Sequence, residues 1–83
     1  MWYRAPDGSL QQVPTYGYEA YPEAIGPDGS IILNFGSHTR SRYHWNPAVG
    51  GAPVLIGGSH GSVFYLGSTP YLRLGTMFLR INP

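Results

Sequence analysis

The chain has no cysteine and no lysine, few charges of either sign, and almost no room for a helix. Each absence closes a class of answer. Without cysteine there is no disulfide framework to staple a small fold. Without lysine there can be no Gly-x-x-x-x-Gly-Lys phosphate loop. The formal net charge of +1 is too small for the basic stripe by which nucleic-acid binders release counterions, so nucleic acid is not expected as a partner. No apolar run approaches the roughly 20 residues of a membrane helix, and Met1-Trp2-Tyr3-Arg4-Ala5-Pro6 shows no charged region followed by an apolar one. Neither a signal peptide nor a membrane association is therefore expected.

What the chain does have is 12 glycines, 8 prolines and 14% aromatic residues in 83 positions. The longest stretch free of both Gly and Pro, Ser37 to Asn46, shows no 3.6-residue apolar period and reads as strand or loop. The expected fold is all-β: one small domain over 1–83, an antiparallel sandwich or open barrel of short strands with extended terminal arms. Strands are expected at Trp2–Arg4, Leu10–Val13, Ile31–Phe35, Tyr43–Trp45, Val54–Ile56, Ser62–Leu66 and Tyr71–Ile81. Pro6-Asp7-Gly8 and Pro27-Asp28-Gly29 are turn sequences, Pro fixing φ at the first corner and Gly accepting φ > 0 at the last. The first should join Trp2–Arg4 to Leu10–Val13 as a hairpin. Residues 14–27, with Tyr16, Tyr18 and Tyr21 among prolines and glycines, read as an ordered loop or arm. In the last segment Leu72 and Leu74 share one parity, and Met77, Leu79 and Ile81 the other. A bulge at Gly75-Thr76 would bring all five to the core side and leave Arg73, Phe78 and Arg80 facing out; two strands with a turn at Gly75 is the alternative.

Several constellations invite a chemical reading and lack its context. Gly57-Gly58-Ser59-His60-Gly61 fits the Gly-x-Ser-x-Gly pattern, but a nucleophile elbow stands between a strand and a helix, whereas here one strand segment follows another. His38 and His44 are six apart and would share one face of an extended strand, but no carboxylate pattern around them or His60 singles out a metal site. The four carboxylates, Asp7, Glu19, Glu23 and Asp28, sit in turns and in the Tyr-rich segment, with no acid–base pair evident. No catalytic residue, cofactor or metal is expected, and the chain does not read as an enzyme.

Charged residues make up 11% of the chain, against about 25% in ordinary domains. Interface cores are likewise depleted in charge and enriched in Tyr, Trp, Phe, Met and Arg. A domain this small buries little of its surface, and with disulfides excluded, association with other subunits is the simplest remedy. The expected partners are therefore protein subunits, in a homo-oligomer or on a larger shell protein. The expected contact residues are Arg40, Arg42, Tyr43 and Trp45 in the most concentrated Arg-aromatic cluster, with Arg73, Phe78 and Arg80 in the last segment. By composition alone the chain is similar to small structural proteins of virus particles, such as capsid decoration or tail components. That similarity implies a virion location, with the cytoplasm otherwise. The alternative is a small glycan- or nucleic-acid-binding module using Arg40, Arg42, Tyr43 and Trp45.

Overall fold

The computed structural model describes residues 1–36, 41–58 and 60–81. Its described residues contain no helix and nine strands in three antiparallel sheets, each formed by strands consecutive in the chain. Sheet A is the hairpin β1 (Trp2–Arg4) and β2 (Leu10–Gln12). Sheet B runs β3 (Ala20–Ile25), β4 (Ile31–Phe35), β5 (Ser41–Trp45) and β6 (Val54–Gly58). Sheet C runs β7 (Ser62–Leu66), β8 (Thr69–Leu74) and β9 (Met77–Arg80). The all-β antiparallel expectation holds, and the molecule is flat, 34 × 32 × 17 Å.

Strand β4 organises the interior. Ile31, Ile32 and Leu33 are fully buried in succession, as in a strand covered on both faces. On one face Ile31, Leu33 and Phe35 join Trp45 of β5 and pack with Tyr3, Ala5 and Val13 from the first hairpin and the segment after it. The other face carries Ile32 and Asn34, opposite His44 and Arg42.

Both Pro-Asp-Gly sequences form the same turn. Gly8 N–H donates to Ala5 O at 2.9 Å and Gly29 N–H to Gly26 O at 3.0 Å. Asp7 and Asp28 each accept from the N–H and hydroxyl of the serine two positions on. The glycines take φ +90° and +86°, the left-handed corner of a three-residue hairpin loop. Tyr3 Oη donates to Gly29 O, binding the first hairpin to the second turn.

Three expectations need correction. The 14–27 segment is not all loop, because Ala20–Ile25 is strand β3. It is the edge of sheet B, and the register shifts between Pro22 and Ala24, a bulge of the kind that lets an edge strand hold proline. The N-terminus is not an arm: Met1 exchanges backbone hydrogen bonds with Val13. The last segment is two strands, with Leu74 opposite Met77 around a Gly75-Thr76 loop in which Gly75 takes φ +60°, and not one bulged strand. A two-residue loop reverses the chain and restores parity, so Leu72, Leu74, Met77 and Leu79 still share a face while Arg73 and Phe78 share the other. Strands β6 and β7, consecutive in the chain, belong to different sheets, B and C.

Candidate interaction surface

The position of sheet C is set by two polar junctions. At the first, Arg42 is 3% exposed. Its Nε donates to Glu23 Oε2 at 2.6 Å, Nη2 to Gly61 O at 2.7 Å, and Nη1 to His60 O. Glu23 Oε1 also accepts from Asn34 Nδ2 at 3.1 Å. One guanidinium thus ties β5 to β3 and to the segment entering β7. A planar fork of five donors suits this task in a way lysine does not.

At the second junction, Ser30 and Tyr65 hydroxyls lie 3.1 Å apart, joining the Pro27–Ser30 turn to β7. Gly26 is required here, because a Cβ on it would fall 2.9 Å from both Ser30 Oγ and Tyr65 Cε1. Burial pushes the Tyr65 hydroxyl above its ordinary 10.0 and pulls the His44 imidazole below its ordinary 6.5, against a weaker opposing pull from Asp28. Hydrogen bonds from Ser30 hold Asp28 below 3.8, and Ser9 does the same for Asp7.

Beyond these junctions the far side of sheet C is uncovered. Pro70 is buried, while all four residues of β9 are exposed, Met77 by 56% and Phe78 by 62%. One face presents Leu72, Leu74, Met77 and Leu79. The other gathers Phe64, Tyr71 and Phe78, with ring centroids 5.9 Å apart for Phe64–Tyr71 and 5.9 Å for Phe64–Phe78, the second pair edge-on at 87°. Arg73 pairs with Phe78 across the strands and Arg80 with Tyr71.

Strand β9 is also a free edge. The pair closing a two-residue loop, Leu74 and Met77, is hydrogen-bonded, and such pairs alternate along an antiparallel ladder. Leu72 and Leu79 are then bonded too, and Ile81 N–H donating to Pro70 O at 3.0 Å continues the series. The N–H and C=O groups of Phe78 and Arg80 therefore point away from β8. This edge has no proline, no lysine and no bulge among the features that usually protect one; Arg80 is its one charge.

The expected contact residues divide accordingly. Arg73, Phe78 and Arg80 are brought together on the open face of sheet C. Arg42 is a structural clamp and is not presented to a partner. Trp45 is buried, its Nε1 donating to Gly51 O at 3.0 Å, and Tyr43 stacks on Phe35 with centroids 4.2 Å apart. In this strand Arg42 projects to one face and Tyr43 and Trp45 to the other, so they do not form one site. Arg40, His38 and Ser59 lie outside the described residues. Among the described residues no three His, Asp or Glu side chains gather as metal ligands.

Sequence reasoning passed over the distribution of charge. Every carboxylate lies between Asp7 and Asp28, so residues 1–36 carry net −3 and residues 37–83 carry net +4. The two Pro-Asp-Gly turns stand side by side, Asp7 and Asp28 lining one concavity of about 100 Å³ with Pro6, Pro27 and Pro47. The sequence signal was available: two copies of one turn motif, each with its own Asp.

Comparison with protein-family models, with curated proteins and with solved structures found no match to this chain.

Two outcomes follow from the junctions. Arg42→Met, which removes the donor to Glu23 and to the carbonyls of Gly58, His60 and Gly61, should lower unfolding stability by about 2 kcal/mol, against about 1 kcal/mol for Glu23→Gln, read from urea midpoints. The depressed imidazole of His44 sets a pH dependence as well. Below pH 6.5 the unfolded chain takes up a proton that the folded chain resists, so stability should fall as pH drops from 6.5 and level once folded His44 is protonated. Denaturant midpoints between pH 8 and 5 should show this slope, and His44→Gln should flatten it.

Proposed function

We propose that the chain is a structural assembly subunit, a small β-protein that docks through sheet C on repeated protein copies, as a small virion component such as a capsid decoration or tail protein would. The observation that supports this is the exposed, aliphatic and aromatic β9 edge. Exposed apolar surface of this kind marks an interaction site, and an unprotected strand edge offers its backbone to another chain. No enzymatic activity is part of the proposal. The low charge and absent cysteine point the same way, since other remedies for a thin core are missing.

A second reading, a small glycan- or nucleic-acid-binding module, retains one support in the Phe64, Tyr71 and Phe78 cluster beside Arg73 and Arg80. Of the residues expected for it, Arg42 and Trp45 are buried and Tyr43 is half-buried against Phe35, while Arg40 lies outside the described residues. The edge-on packing of Phe78 against Phe64 engages these rings with each other, whereas base stacking needs open ring faces. Protein contact is the better fit.

Molar mass and thermal melting across a hundredfold concentration range test the assembly. The wild type should form a discrete or growing oligomer whose Tm rises with concentration. Phe78→Lys should remain folded at a cost of about 1 kcal/mol and lose the concentration dependence. A wild-type monomer with a constant Tm would refute self-assembly.

A further inference from the structure

We propose that sheet C of one copy docks head to tail on the N-terminal half of a second copy, with Arg73 and Arg80 meeting the Asp7–Asp28 notch. This rests on the assembly reading and adds the identity and orientation of the partner.

Charge carries the argument. Arg42 and Glu23 pair at 2.6 Å within the chain; the exposed carboxylates are Asp7, Glu19 and Asp28, and among the described residues the exposed arginines are Arg4, whose Nη1 donates to Gly8 O, and Arg73 and Arg80 on sheet C. No carboxylate occurs anywhere after Asp28. Joining two copies of sheet C face to face would oppose four arginines with no negative charge between them, and like charges set opposite one another destabilise a sheet contact. The N-terminal half has the complementary sign. Its notch is lined by two carboxylates fixed by hydrogen bonds from Ser9 and Ser30, and a concavity near 100 Å³ admits a planar guanidinium, which binds carboxylates through paired N–H groups.

The face that carries Arg73 and Arg80 also offers apolar area in Phe78, which is 62% exposed beside them, while Leu74, Met77 and Leu79 lie on the opposite face of the hairpin and outside this contact. Because the two contacting surfaces differ, every docked copy leaves one of each open. The contact therefore propagates to a ring or a filament.

The test uses two variants of the full chain. Asp7→Asn with Asp28→Asn removes the charge of the notch while keeping the Oδ1 acceptor that Ser9 and Ser30 use. Arg73→Gln with Arg80→Gln disarms the hairpin. In sedimentation at a concentration where the wild type assembles, each variant alone should be monomeric, its self-association weakened at least tenfold. Mixed at equal concentration they should form a 1:1 heterodimer that grows no further, since one supplies a working hairpin and the other a working notch. Wild-type association should also weaken as salt rises from 0.1 to 1 M.

A notch variant that assembles like the wild type would overturn the head-to-tail contact and leave the assembly reading standing. A wild type that stays monomeric would overturn the head-to-tail contact and self-assembly with it. A monomer that captures an oligo(dT) strand through Arg73 and Arg80 would assign the surface to nucleic acid instead. Circular dichroism melting confirms that each variant folds, and Asp7→Asn alone, on the exposed first turn, replaces the double variant if that one does not.

Discussion

The guanidinium of Arg42 is the point at which otherwise separate sheets become one molecule. Sheet B has its own ladder and sheet C has its own, and hydrogen bonds within a ladder do nothing to fix one sheet against another. Arg42 supplies that fixing by reaching from β5 to the carboxylate of Glu23 on β3 and to the carbonyls of His60 and Gly61, where the chain leaves sheet B. Arg42 itself is 3% exposed, and its loss would leave the half-buried Glu23 carboxylate and the carbonyls at the start of sheet C without the donors that hold them together. The Ser30–Tyr65 contact is the second fixed point, and together they determine which part of sheet C is covered and which projects.

That division gives the molecule its functional character. The aliphatic interior is spent on β4, which is buried on both faces, and on the packing of the first hairpin against it. Little apolar material remains to cover sheet C, and its outer strand is left open at the side and on both faces. The same economy separates the charges: the acidic side chains stay in the N-terminal half, and the only charged side chains of β7 to β9 are Arg73 and Arg80. The chain thus carries an uncovered sheet whose charges are positive and a notch whose charges are negative.

Much of the fold was legible in the sequence because its cues were local. The bounds of Trp2–Arg4, Ile31–Phe35 and Ser62–Leu66 followed from short β-rich runs between turn residues, and the two Pro-Asp-Gly turns from the stereochemistry of Pro and Gly. The separation of Leu72, Leu74, Met77 and Leu79 from Arg73 and Phe78 was also readable from parity, although the device is a hairpin loop. Strand β3 was hidden because Pro22 argues against a strand unless its edge position and bulge are known. The role of Arg42 was hidden for a different reason. An arginine between serine and tyrosine looks like a surface residue, and only the long-range approach of Glu23 and the Gly58–Gly61 connection makes it an interior one. Trp45 likewise reads as a contact residue in sequence, and only its place in the core beside Ile31 and Tyr3 makes it an interior one.

Amide hydrogen exchange, resolved by residue and repeated at low and high protein concentration, tests the central claim that sheet C is held by its near side and completed by another chain on its far side. Amides of Ile31–Phe35 should be the most protected at every concentration, whereas Phe78 and Arg80, whose N–H groups point away from β8, should exchange fast when dilute and gain protection when concentrated. Strong, concentration-independent protection of Phe78 and Arg80 would contradict the account, because it would mean that the edge is already covered within a single chain.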